Sequence, residues 1–155
     1  MKKIKFALML TVLALTPLGG NALAHQHAAM KSETAARPEV AEKVMAWQGD
    51  EGVEVWILRY GPRDKNQALV QVVNVDHPWN KHIYLMDVKK DDKKKTYSLT
   101  LNGTRFVALN MYGMNSGELY LPDEKQPYRI NYSQMLSEQG NPHHFLTDYL
   151  QQEKK

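Results

Sequence analysis

From Val53 onward the apolar residues of this chain recur at every second position. VEVWILRY (53–60), ALVQVVNV (68–75) and HIYLMDV (82–88) are rich in β-branched and aromatic residues, a pattern that predicts strands. Gly61-Pro62-Arg63-Asp64 and His77-Pro78-Trp79-Asn80 interrupt the alternation with turn-forming residues. KKDDKKK (89–95) carries charges of both signs and reads as a solvated loop between strands.

The strongest local signal is TYSLTL-NG-TRFVAL (96–109). Asn102-Gly103 is the preferred two-residue hairpin turn, because both central positions need φ > 0 and Asn and Gly accept it at least cost. The expected register pairs Leu101 with Thr104, Leu99 with Phe106 and Tyr97 with Ala108 on one face. Thr100/Arg105, Ser98/Val107 and Thr96/Leu109 lie on the other. A one-residue slip would mix the two faces, so the pattern itself selects the register. ELYL (118–121) and YRINY (128–132), joined by PDEKQP (122–127), predict a second hairpin after the GMNSG loop (113–117).

Helices are expected at both ends of this β region. Val40, Val44 and Trp47 are spaced four and three apart behind Pro38, with Glu39 and Glu42 in the first turn, which predicts a short amphipathic helix over 38–47. Ser133 opens a second short helix. Asn141 and Pro142 are a cap and a first-turn proline for a third, over 142–152, whose stripe is Phe145, Leu146, Tyr149 and Leu150. The expected fold is mainly β: a small antiparallel sheet or barrel-like domain of six or seven strands, with a short N-terminal helix and a C-terminal helix.

The first 24 residues read differently. A basic start (Lys2, Lys3, Lys5), an apolar run from Phe6 to Leu18 and the small-x-small site Ala22-Leu23-Ala24 form the three parts of a secretory signal peptide. The run is shorter than the ~20 residues a membrane-spanning helix needs. The expected organisation is a signal peptide (1–24), a flexible tail (25–37) and a single β-rich domain (38–155). The lysine-led leader suits export to the periplasm of a Gram-negative bacterium, with no membrane span after processing.

Removal of the leader changes the charge. The chain has 20 Lys+Arg against 17 Asp+Glu. Without Lys2, Lys3 and Lys5 the two signs balance, which argues against a nucleic-acid partner. The absence of cysteine excludes disulfides, thiolate metal sites and a cysteine nucleophile.

Candidate chemistry is sparse. Cleavage after Ala24 would leave His25-Gln26-His27 as the new N-terminus. Its amine, two backbone amides and the His27 imidazole form a four-nitrogen set suited to Cu(II) or Ni(II). This resembles the amino-terminal copper- and nickel-binding motif. His77 and His82 flank a turn, and His143 and His144 adjoin on the last helix, where His144 and Asp148 share a face. These are the other candidate metal ligands. Met30, Met111 and Met114 supply thioethers of the type that bind Cu(I). No nucleophile elbow or phosphate loop is present, and the acidic pairs Asp50-Glu51, Asp91-Asp92 and Asp123-Glu124 fall in turns. The chain is therefore expected not to be an enzyme.

Tyrosine and tryptophan remain. The chain has eight Tyr and three Trp against three Phe, and these residues favour interfaces. Trp79, Tyr112, Tyr120, Tyr128 and Tyr132 are the candidate partner-binding residues. The expected function is that of a secreted, non-catalytic binding protein that engages a periplasmic protein or a cell-wall component. In size and compartment it is similar to small periplasmic inhibitors such as bacterial lysozyme inhibitors. The alternative is a periplasmic copper- or nickel-binding protein using His25 and His27.

Overall fold

The computed structural model describes residues 36–155. Eight antiparallel strands close into a barrel in chain order: β1 (Met45–Gly49), β2 (Glu54–Tyr60), β3 (Gln67–Val73), β4 (Ile83–Lys90), β5 (Lys95–Leu101), β6 (Thr104–Tyr112), β7 (Ser116–Leu119) and β8 (Tyr128–Tyr132). Two helices follow, α1 (Gln134–Gln139) and α2 (Pro142–Gln152). The expected count of six or seven strands is corrected to eight: each of the seven segments read as strands overlaps one of β2 to β8, and β7 starts two residues before the expected ELYL (118–121), within the segment expected to be a loop.

The eighth strand is β1, and it replaces the helix expected over 38–47. It closes the barrel: Trp47 pairs with Val55 of β2 on one side and with Tyr132 of β8 on the other. The segment is apolar on both faces. Met45 and Trp47 point into the barrel, while Val44 and Ala46 point outward beneath the helices. Apolar residues at 40, 44 and 47 fit a helical period, and the two-sided burial of 44–47 hides the strand period.

The Asn102-Gly103 turn has the expected left-handed geometry, with φ of 50° and 79°. The first four cross-strand pairs hold, from Leu101–Thr104 to Ser98–Val107. The other two are corrected: Tyr97 pairs with Leu109 and Thr96 with Asn110. The register shifts between Tyr97 and Ser98, leaving Ala108 as the extra residue of a bulge. Beyond that point the inward parity of β6 passes to Leu109 and Met111, both buried in the core.

The interior is filled by one apolar cluster that includes Val55, Val70, Met86, Leu109 and Ile130, as expected for a barrel of this strand number. Outward positions such as Gln71, Asp87, Arg105 and Glu118 are polar. This is the reverse of a membrane-spanning barrel, whose apolar band faces outward. None of the described helices is long and apolar enough to cross a membrane.

One stretch of outer wall is apolar, and α2 covers it. Phe145, Leu146 and Tyr149 pack on Leu58, Leu69 and Ile83. Tyr149 meets Tyr60 edge to face at 5.8 Å. Asn141 caps the helix by accepting from the His144 N–H at 3.0 Å. At the other end, the Gln152 side chain accepts from the Ile83 N–H at 2.9 Å and donates to the Ile83 carbonyl at 2.7 Å. The helix is thereby fixed to β4 at its last turn. Helix α1 sits on β1, where the Ala46 N–H donates to Ser137 Oγ at 2.8 Å. Before β1, Arg37 donates to the His143 carbonyl and to Thr147 Oγ1, both at 2.6 Å.

Candidate functional site

In a barrel whose strands run up and down in sequence, alternate turns share an end. The β1–β2, β3–β4, β5–β6 and β7–β8 connections form one end, and the β2–β3, β4–β5 and β6–β7 connections form the other.

The first end is closed by Trp79. It lies in the β3–β4 connection and is only 6% exposed. Its ring packs against Tyr84 at 4.4 Å and against Phe106 at 5.8 Å. His77 holds this connection in place: its Nδ1 accepts from the Trp79 N–H and its Nε2 donates to the Pro122 carbonyl, each at 3.0 Å. Trp79, expected at a partner surface, is thus a plug in the barrel floor.

The other end is open. A cavity of about 390 Å³ enters the barrel there, within the range of small-ligand sites. Its deep wall is apolar and includes Met45, Trp47, Ile57, Val88, Tyr97 and Met111. Of the strand residues that line the cavity, Ala68 has the smallest side chain and leaves room where a larger residue would fill the axis. The Trp47 indole N–H donates to the Met114 carbonyl at 3.2 Å, tying the β6–β7 turn to the wall.

The rim is basic. Lys43, Arg59, Arg63, Lys90 and Lys95 line the cavity, and among the described residues no aspartate or glutamate does. Strand periodicity explains three of them. Arg59 follows Ile57 by two residues, Lys90 follows Val88 and Lys95 precedes Tyr97. Each continues the inward side of its strand past the apolar core to the mouth. Lys43, just before β1, and Arg63, in the β2–β3 turn, complete the ring. Arg59 pairs with Glu39 at 3.1 Å and donates to the Gly61 carbonyl; this is the only ion pair among the described residues. Lys90 and Lys95 face each other across the β4–β5 ladder, a like-charge arrangement that destabilises a sheet.

Tyr97 shows how dry this wall is. Burial pushes its phenol up to about 12, because the phenolate would lose its hydration there.

The other sequence candidates do not converge. His82 accepts from Gln152 Nε2 at 3.0 Å and packs on Tyr84 at 4.4 Å, whereas His77 bonds to Pro122 and Trp79. His143 and His144 are exposed at the start of α2. Among the described residues no group of three or more His, Asp or Glu side chains could hold a metal. His25 and His27 lie outside the described residues.

Of the tyrosines, Tyr112 and Tyr120 lie on the outer wall and both donate to Glu118 Oε2, at 3.0 and 2.9 Å. That shared carboxylate raises both phenol pKa values. Tyr128 and Tyr132 pack instead against the interior, with Tyr132 edge-on to Trp47 at 5.8 Å. The five aromatic candidates therefore form no single surface.

Met45, Met111 and Met114 line the same cavity, a grouping of thioethers that no spacing in the chain announces. The surrounding cations oppose capture of a metal cation at that point. The residues missed by sequence reasoning are the rim cations and Ala68. Their signal was present as basic residues two positions beyond inward apolar ones, but it is readable only once barrel closure assigns them a common end. In comparisons with known proteins, no family model, curated protein or solved structure matches this chain.

Proposed function

We propose that this chain is an exported, non-catalytic binding protein of the periplasm, and that it takes a small ligand into the open mouth of its barrel. The observation that carries the reading is the cavity: apolar in depth, open at one end only, and adjoining a barrel interior that is otherwise filled. Residues 1–24 support export, since they have the three parts of a signal peptide. The cavity is lined by an apolar depth with a few polar and basic groups at its rim, a lining suited to holding a small ligand.

Ala68→Leu tests the reading directly. Ala68 is 2% exposed and faces the cavity, so the larger side chain grows into the space a ligand would occupy. An uncharged naphthylamine dye should fluoresce on binding the native protein and fail to do so with Ala68→Leu. Circular dichroism should show the same β content in both. Equal dye binding by the two proteins would place the ligand site elsewhere.

A further inference from the structure

We infer that the ligand of the mouth cavity is a single-chain amphiphile with an anionic head, its acyl chain lying along the barrel axis and its head held at the rim; this rests on the reading of the mouth as the binding site.

Three features converge on this chemistry. The first is shape. The barrel wall closes the cavity laterally and Trp79 with its neighbours fills the far end. A ligand can enter only end-on, so one end of it remains at the mouth.

The second is the order of polarity along that path. The deep wall offers apolar and thioether groups, and the rim offers five cations, of which only Arg59 has a carboxylate partner, Glu39, among the described residues. An uncharged apolar ligand would use the depth and leave the rim idle. A hydrophilic anion would use the rim and leave the depth idle. Only an amphiphile uses both.

The third is the cost the rim imposes on the protein. Lys90 and Lys95 are direct cross-strand partners, and like charges so placed repel. The adjoining turn carries Lys93 and Lys94 against Asp91 and Asp92. Its Asp91 is engaged by the backbone N–H groups of Lys93 and Lys94, both at 2.9 Å, and does not line the cavity. A carboxylate or phosphate seated between Lys90 and Lys95 would replace repulsion with two charge-assisted contacts.

Calorimetric titration of the purified exported protein with dodecanoate, dodecyl phosphate and dodecanol tests the inference. At least one of the two anions should bind with one-to-one stoichiometry, about tenfold or more tighter than dodecanol, as loss of charge-assisted hydrogen bonds implies. The preference should shrink as salt rises from about 0.01 to 0.1 M, where the Debye length falls from ~30 to ~10 Å. Tighter dodecanoate would assign a fatty-acid carboxylate, and tighter dodecyl phosphate a lipid phosphate.

Lys95→Glu supplies the second arm. It should weaken binding of the anions about tenfold, while the ligand-free melting temperature holds or rises because the introduced carboxylate would pair with Lys90. Equal affinity for dodecanol and the anions, with no salt dependence, would overturn the anionic head and leave the cavity reading intact. Failure of all three compounds to bind would overturn the cavity reading itself. An unchanged anion affinity in Lys95→Glu would also refute the assignment of the head to the rim.

Discussion

Trp79→Ala is expected to destabilise the protein by about 3–5 kcal/mol, the range for removing a large aromatic from a packed core. The side chain is 6% exposed and has aromatic neighbours on two strands, Tyr84 of β4 and Phe106 of β6. Nothing nearby is placed to refill the space, because the β3–β4 connection is held by its own hydrogen bonds through His77 to Pro122. Chemical denaturation measures the effect as a lower midpoint with little change in slope. Trp79→Phe should recover part of the loss. A cost below about 1 kcal/mol would mean that the indole is not a core element and would return Trp79 to the surface role suggested by its turn position.

The second large effect is alkaline. Tyr97 has a phenol pushed up to about 12 by burial, against about 10 in an unfolded chain. Below pH 10 the phenol is protonated in both states and costs nothing. Between 10 and 12 the unfolded chain releases its proton while the folded chain keeps it, so stability falls as pH rises. Two units correspond to roughly 3 kcal/mol lost across that window. Tyr84 and Tyr149, also raised by burial, add to the slope in the same direction. Unfolding free energies measured from pH 9 to 12 should show this fall, and Tyr97→Phe should flatten it to what the other tyrosines contribute. An identical slope in Tyr97→Phe would show that the phenol is hydrated in the folded protein.

Much of the fold can be read from local chemistry. The Asn102-Gly103 turn, the seven alternating strands and the Ser133 and Asn141 caps all follow from residues acting on their near neighbours. What failed was non-local. Val44 to Trp47 satisfies helical spacing only because both faces of β1 are covered, one by the helices and one by the barrel interior. The shift at Tyr97/Ser98 depends on which of Ala108 and Leu109 the interior accepts, a matter of packing across the barrel rather than along the hairpin.

The candidate site was less legible for the same reason. The basic residues of the mouth come from separate segments: the approach to β1, the end of β2 with the turn after it, and the two strands of the 90–95 hairpin. Their sum is hidden in a net charge of only +3. KKDDKKK is a solvated turn at its tip, as its mixed signs suggest, but Lys90 and Lys95 at its base belong to the ladder and face the cavity. Trp79 and the tyrosines illustrate the converse. Aromatic composition pointed to a surface, whereas a barrel of this size needs large side chains to close its own floor.

The three tryptophans sit at three distinct places, which makes the central claim measurable in one spectrum. The indole N–H of Trp47 donates to Met114 at the mouth. That of Trp56 donates to Glu54 on the outer wall at 3.0 Å. Trp79 lies at the closed floor. In a nitrogen–proton correlation spectrum of labelled protein titrated with dodecanoate, the Trp47 indole resonance should shift progressively to saturation, while those of Trp56 and Trp79 stay in place. A titration that moves the Trp56 or Trp79 resonance and leaves Trp47 unchanged would contradict a ligand site in the mouth of the barrel.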